Sequence, residues 1–126
     1  MKKVALLLLC FTHTLSQAQN QSEGMTLLSN WNPDSIPAHS SGQKYSDLWG
    51  YTDCSGNEYA ILGSVQGIYF FDINDPTSPN EIDYFAGGQT TPWRDIKTYK
   101  DRAYAVSDNV VEGLMIFDLS NLPGQV

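Results

Sequence analysis

A chain of 126 residues is sized for one small domain, and a composition 41% hydrophobic and 12% aromatic suits a packed core, not a disordered tail. Seven Lys+Arg stand against 14 Asp+Glu, a formal charge of -7. An acidic surface repels phosphate backbones and anionic lipid, which argues against nucleic-acid and membrane-surface partners.

Residues 1–18 read as a signal peptide. Met1-Lys2-Lys3 is a short cationic start, Val4 to Phe11 is unbroken apolar sequence, and Ser16-Gln17-Ala18 sets small residues at the -3 and -1 positions of a cleavage site. The chain is therefore expected to be exported, secreted or held at the cell surface, with a mature start at Gln19. The apolar run is shorter than the roughly 20 residues of a spanning helix, so no membrane span is expected. A lipidated Cys10 is the other reading of this leader, but Leu9 stands before it where a small residue is needed. Cleavage removes Lys2, Lys3 and Cys10, which takes the charge to -9 and leaves Cys54 with no partner for an internal disulfide. Cys54 lies in a turn sequence, and His39, the histidine left after cleavage, lies in a separate polar segment, so no thiol–imidazole pair is expected.

Residues 19–44 form a polar N-terminal arm rich in turn formers, including Asn30-Trp31-Asn32-Pro33-Asp34 and Ala38-His39-Ser40-Ser41-Gly42. Met25 to Leu28 offers a short apolar contact, and Trp31 a side chain able to pin the arm to a core. Asn20-Gln21-Ser22 is formally a glycosylation triplet.

From Tyr45 the pattern becomes short strands between turns. Strands are expected at Asp47 to Thr52, Glu58 to Gly63, Ile68 to Ile73 and Glu81 to Ala86, with turns at Asp53 to Asn57, Ser64 to Gly67 and Asn74 to Pro79. The unit then restarts. Trp93 to Tyr99 lies over Tyr45 to Tyr51 at a shift of 48, matching Asp95 with Asp47 and Tyr99 with Tyr51. Ala103 to Ser107 is placed over Glu58 to Leu62. Gly113 to Leu119 lies over Gly67 to Ile73 at a shift of 46, matching Asp118 with Asp72. Four strands in about 45 residues, repeated, define an all-β repeat.

Tyr59 to Leu62 and Ile68 to Phe71 are apolar on both faces, as in sheets covered on two sides. A β-sandwich strand keeps one wet face, whereas a propeller blade packs between two neighbours. The expectation is four-stranded antiparallel blades of a β-propeller, with residues 45–126 holding the first blade and part of the second.

The segments Asp47-Leu48-Trp49-Gly50-Tyr51, Asn57-Glu58-Tyr59-Ala60, Phe71 to Pro79, Trp93-Arg94-Asp95-Ile96-Lys97 and Gly113 to Leu119 resemble the opening of the choice-of-anchor B family, exported bacterial proteins built from LVIVD repeats. The resemblance spans about residues 45–122. It implies a propeller at or beyond the cell surface whose C-terminus carries a sorting or anchoring signal. Fewer than two blades and no such signal are present, so the chain is read as an N-terminal fragment of a longer product.

Candidate chemistry is sparse. Asp72, Asn74 and Asp75 offer oxygen ligands for calcium; the competing reading is an Asx turn, and the second copy replaces the acidic pair with Ser120 and Asn121. Asp47 and Asp95, with Arg94 beside the second, are either a carboxylate pair for acid–base work or structural positions of the repeat, and repetition favours structure. Arg94 is expected on an aspartate or a backbone carbonyl. Trp49, Tyr51, Trp93 and Tyr99 are expected mostly to pack, with Trp93 the candidate for ligand contact. No catalytic or cofactor-binding residue is assigned. The expected function is a non-enzymatic binding or adhesion scaffold for a protein or glycan partner. The alternative is a propeller hydrolase or lyase whose catalytic residues lie in downstream blades.

Overall fold

The computed structural model describes residues 24–108 and 110–126; the leader, Cys10 and the Asn20 triplet lie outside them. Among the described residues seven strands follow in order: β1 (Tyr45–Thr52), β2 (Glu58–Ser64), β3 (Gly67–Asp72), β4 (Asn80–Ala86), β5 (Arg94–Tyr99), β6 (Arg102–Ser107) and β7 (Met115–Asp118). All seven expected strands are present. They form two antiparallel sheets, β1-β2-β3-β4 and β5-β6-β7, each meandering through sequential neighbours.

The turns follow from local side-chain chemistry. Asp53 closes the β1–β2 hairpin by accepting the amides of Ser55 at 2.8 Å and Asn57 at 2.9 Å, while Gly56 takes φ 89. Ser64 Oγ accepts the Gly67 amide at 3.1 Å to make the next turn. Gly67 is obligatory for a different reason: a Cβ there would collide with the Phe85 carbonyl of the paired strand. The ladder slips once in β4, where Phe70 opposes Asp83 but Phe71 opposes Glu81. The extra residue, Ile82, thereby turns inward along with Phe85.

The strand registers set the second sheet against the first and shift the expected alignment of β6. Ala60 opposes Phe71, and Ala103 opposes Phe117. Tyr51 opposes Tyr59, and Tyr99 opposes Arg102. Tyr59 therefore corresponds to Arg102 and Ile61 to Tyr104, two residues away from the alignment that matched the tyrosines. The β5–β6 loop is only Lys100 and Asp101, with Lys100 at φ 52, and this short loop is what displaces the register. Two equivalent hydrogen bonds support the corrected pairing: Ile73 N to Glu58 O and Leu119 N to Asp101 O, both 3.0 Å. The turn after β7 also repeats the turn after β3, with Ser78 N to Asp75 O matched by Gly124 N to Asn121 O.

The first sheet is covered on both faces. One face packs on the second sheet through Ile61, Ile68 and Phe70 against Ile96, Ala103, Ala105 and Phe117. Phe70 and Phe117 meet edge to face at 5.2 Å. The opposite face carries Tyr69 and Phe71 and is covered by the arm. Trp31 stands edge-on to Tyr69 at 5.0 Å and to Phe71 at 4.8 Å, as expected of a pinning residue. Ile36, hidden in a polar stretch, is 1% exposed and belongs to the same cluster. Met25, Leu27 and Leu28 remain exposed, so the expected apolar contact there does not form.

A polar seam joins the two sheets along β1 and β5. Asp47, Trp49 and Tyr51 share one face of β1 by their spacing of two. Asp47 Oδ2 accepts the Ile96 amide at 2.8 Å, Trp49 Nε1 donates to Thr98 Oγ1 at 2.9 Å, and the Tyr51 hydroxyl donates to Asp101 Oδ1 at 3.1 Å. Because β5 is an edge strand, the Ile96 amide has no ladder partner on its outer side, and the carboxylate supplies one. Lys97 Nζ reaches the same carboxylate at 3.3 Å and lies over the Trp49 ring at 4.1 Å. Burial, followed by the Asp101 carboxylate, pushes the Tyr51 hydroxyl up to about 12.

Burial alone would raise the Asp47 carboxyl, but the Ile96 amide, then Lys97 and the Leu48 amide, bring it below the ordinary aspartate value. A depressed carboxylate stabilises the fold above its unfolded pKa near 4, and that stability is lost as pH falls through the folded value. Asp47→Ala strands the Ile96 amide and is expected to cost about 1–2 kcal/mol in urea unfolding at neutral pH. Asp47→Asn, which keeps an acceptor, is expected to cost less and to weaken the loss of stability on acidification. Equal stability of wild type and Asp47→Ala would remove the clasp from this account.

Candidate functional site

A cleft of about 470 Å³ opens where the start of β1 meets the start of β5 and the end of β6. Four residues singled out in the sequence line it: Asp47, Trp93, Arg94 and Asp95. They come together because the seam sets β1 beside β5. Gln43, Tyr45 and Asp108 also line it and carried no motif. Asp108 is brought in when its amide bonds the Trp93 carbonyl at 3.2 Å across the β5–β6 hairpin.

Arg94 builds one wall from beneath and is only 3% exposed. Its Nε donates to Ser64 O at 2.8 Å, Nη1 to Ser107 Oγ at 2.6 Å, and Nη2 to the carbonyls of Gly87 at 3.0 Å and Gln89 at 3.1 Å. Of the two partners anticipated for it, backbone carbonyls are the ones found. A Cβ at Gly87 would sit 2.5 Å from the guanidinium nitrogens, so a side chain there would displace the Arg94 fork. Burial draws the Arg94 pKa down, and the nearby Glu112 carboxylate opposes this. Glu112 in turn accepts the Gln89 amide at 2.9 Å, and that bond leads the depression of its own pKa.

The loop entering β5 is thus fixed from both sides. Thr91, 3% exposed, donates its amide to Val65 O at 3.0 Å and accepts the Trp93 amide on Oγ1 at 3.2 Å. This frame fixes the backbone of Trp93, whose ring stands on the rim, 55% exposed. The ring offers a flat apolar face beside the carboxylates of Asp47, Asp95 and Asp108, suited to a polyhydroxylated or cationic group. Asp47 is committed to the Ile96 amide and held ionised, which makes it an acceptor and not a proton donor at neutral pH.

The other candidates lie elsewhere. Asp72 Oδ1 accepts the amide of Asn74 at 2.9 Å and its Nδ2 at 2.7 Å, while Asn74 Oδ1 accepts the Glu58 amide at 3.0 Å. Asp75 Oδ1 takes the amide and hydroxyl of Thr77 at 3.0 and 2.6 Å. Asp118 does the same with Ser120 in the second repeat, at 3.0 and 2.7 Å. These are Asx turns, repeated at equivalent strand ends. Among the described residues, no cluster of three His, Cys, Asp or Glu side chains is placed to hold a metal. Trp49 and Tyr51 belong to the seam, and Tyr99 is exposed on the far face of the second sheet. Cys54 is exposed at the hairpin tip, and His39 bonds Ser41 in the arm.

Comparison of the chain with protein-family models, with curated proteins and with solved structures gives no match. Among the described residues, no helix is long and apolar enough to cross a membrane.

Arg94→Lys replaces a planar fork by a single ammonium that cannot span four acceptors, and is expected to cost about 2–4 kcal/mol in urea unfolding. Arg102→Lys, at a solvent-exposed ion pair with Asp118, is expected to stay within about 0.5 kcal/mol. Asp72→Ala is expected to lose about 1 kcal/mol, equally with and without added calcium. A calcium-dependent difference would return the turn to the list of metal sites.

Proposed function

We propose that this chain is the opening part of an exported β-propeller repeat protein of the choice-of-anchor B, LVIVD-repeat type. In this reading it is a non-enzymatic scaffold at the cell surface or in the secreted fraction, and it binds a protein or glycan partner through the cleft beside Trp93. The observation that carries the binding reading is the rim itself. A half-exposed indole is held by a loop pinned at Arg94 and Thr91, next to carboxylates able to accept hydroxyl or amine hydrogens. An aromatic with two χ angles on a backbone fixed before binding loses little conformational entropy when a ligand stacks on it.

Three observations support the propeller part. Equivalent sheets stack face to face, equivalent first strands lie side by side, and the first sheet has two dry faces. Export is supported by the sequence of residues 1–18. The acidic charge fits a polar partner without anionic phosphate.

A binding screen of the native protein against cell-surface glycans and envelope proteins is expected to give a saturable ligand. Trp93→Ala should weaken that binding about tenfold or more and leave thermal stability nearly unchanged. Retained affinity in Trp93→Ala moves the site away from the cleft. Turnover of a bound polymer in place of simple binding favours a propeller hydrolase or lyase.

A further inference from the structure

The β5–β6 register places the groups around the Trp93 ring. Asp108 stands across the hairpin from Trp93, with its amide on the Trp93 carbonyl at 3.2 Å, and Asp95 stands across from Val106. Strand alternation sets Trp93 and Asp95 on one face, with Asp108 and Val106 on the same face of the neighbouring strand. All four line the cleft. Opposed residues of an antiparallel ladder stand about 5 Å apart at Cβ, and same-face neighbours along a strand about 7 Å. The exposed indole therefore has one carboxylate across from it and another beside it, and the apolar Val106 completes the square.

The hydrogen-bonding capacity left in this lining is one-sided. The carboxylates of Asp95 and Asp108 accept no hydrogen bond and make no ion pair among the described residues. Asp47 is already committed, to the Ile96 amide and the Lys97 ammonium. Arg94, the cation in the lining, is buried and turns four of its N–H groups inward to Ser64, Ser107, Gly87 and Gln89. Tyr45 spends its hydroxyl hydrogen on Asn32. Acceptors are therefore left over, and the charged donors are used up. A sugar hydroxyl both donates and accepts, whereas an ammonium or guanidinium only donates. We infer that the cleft seats a basic side chain, arginine or lysine, of a protein partner, with its cationic head over the Trp93 indole between Asp95 and Asp108 and its methylene stem along Val106. A cation on an aromatic face with carboxylates in reach gains from both, and its stem covers apolar surface. The formal charge of -7 draws such a partner in. Of the two partner classes proposed for the cleft, a protein carries this group and a neutral glycan does not.

The inference rests on the reading of the cleft as a binding site and narrows its ligand. The test titrates the native protein with a capped arginine–glycine repeat peptide and with the same peptide carrying citrulline, which keeps the shape of arginine without its charge. Binding is followed by NMR at the Trp93 indole N–H and at the amides of Asp95 and Asp108. The expected result is saturable binding of the arginine peptide centred on these signals, about tenfold or more tighter than that of the citrulline peptide. Asp95→Asn combined with Asp108→Asn is expected to weaken binding about tenfold with the melting temperature unchanged, since neither carboxylate holds the fold together. Asp34→Asn, an exposed acid outside the cleft, controls for overall charge and is expected to leave affinity nearly unchanged. Equal affinity for the two peptides, or full affinity in the double variant, overturns the inference. A neutral oligosaccharide or free spermidine that binds at Trp93 more tightly than the arginine peptide also overturns it, and leaves the cleft standing as a binding site. No saturable binding of the peptide or of either small ligand at Trp93 overturns the inference together with the reading of the cleft.

Discussion

An edge strand presents backbone amides that a sheet cannot satisfy from within, and this structure is organised around one solution. Asp47 reaches from β1 of the first sheet to the Ile96 amide on the outer side of β5. The bond does two things at once. It blunts an edge that would otherwise template foreign pairing, and it fixes the height of one sheet against the next. Trp49 and Tyr51 extend the contact along the same strand face, so that a spacing of two residues becomes a seam of three hydrogen bonds. Carboxylate capping of an edge amide gives Asp47 a structural role in this seam.

The seam also decides where the sheets bury apolar surface. With β1 beside β5, Ile61, Ile68 and Phe70 fall over Ile96, Ala103 and Phe117, and small alanines in β6 admit the larger rings of the first sheet. The opposite face of the first sheet is closed by the arm through Trp31 and Ile36. The inter-sheet geometry thus accounts for one core cluster, and the arm for the other. The cleft arises from the same geometry, since it lies where the starts of β1 and β5 meet at the Trp93 loop.

Much of this was legible in the sequence, for definite reasons. Gly, Asn-Asp-Pro and Asp-Cys-Ser-Gly clusters punctuate apolar runs so regularly that all seven strands could be placed, and the two-sided apolar character of β2 and β3 announced two dry faces. The Asx turns at Asp72 and Asp118 were weighed against calcium from their residue types alone. The pairing of β6 was misplaced by two residues, because matching Tyr59 to Tyr104 allowed for a shorter loop but not for one as tight as Lys100 and Asp101. Ile36 gave no periodic signal inside a polar stretch, and exposed Met25 to Leu28 looked the better anchor. Asp47, Trp93, Arg94 and Asp95 were singled out separately; that they share a cleft depends on lateral contact between repeats, which no local pattern encodes.

The central claim is that a side chain, not a strand, satisfies the outer amide of β5. Hydrogen exchange of the Ile96 amide tests it most directly. Protection comparable to that of the ladder amides in β6, abolished in Asp47→Ala while the β6 amides stay protected, is the predicted result. Rapid exchange of the Ile96 amide in the unaltered protein would contradict the account.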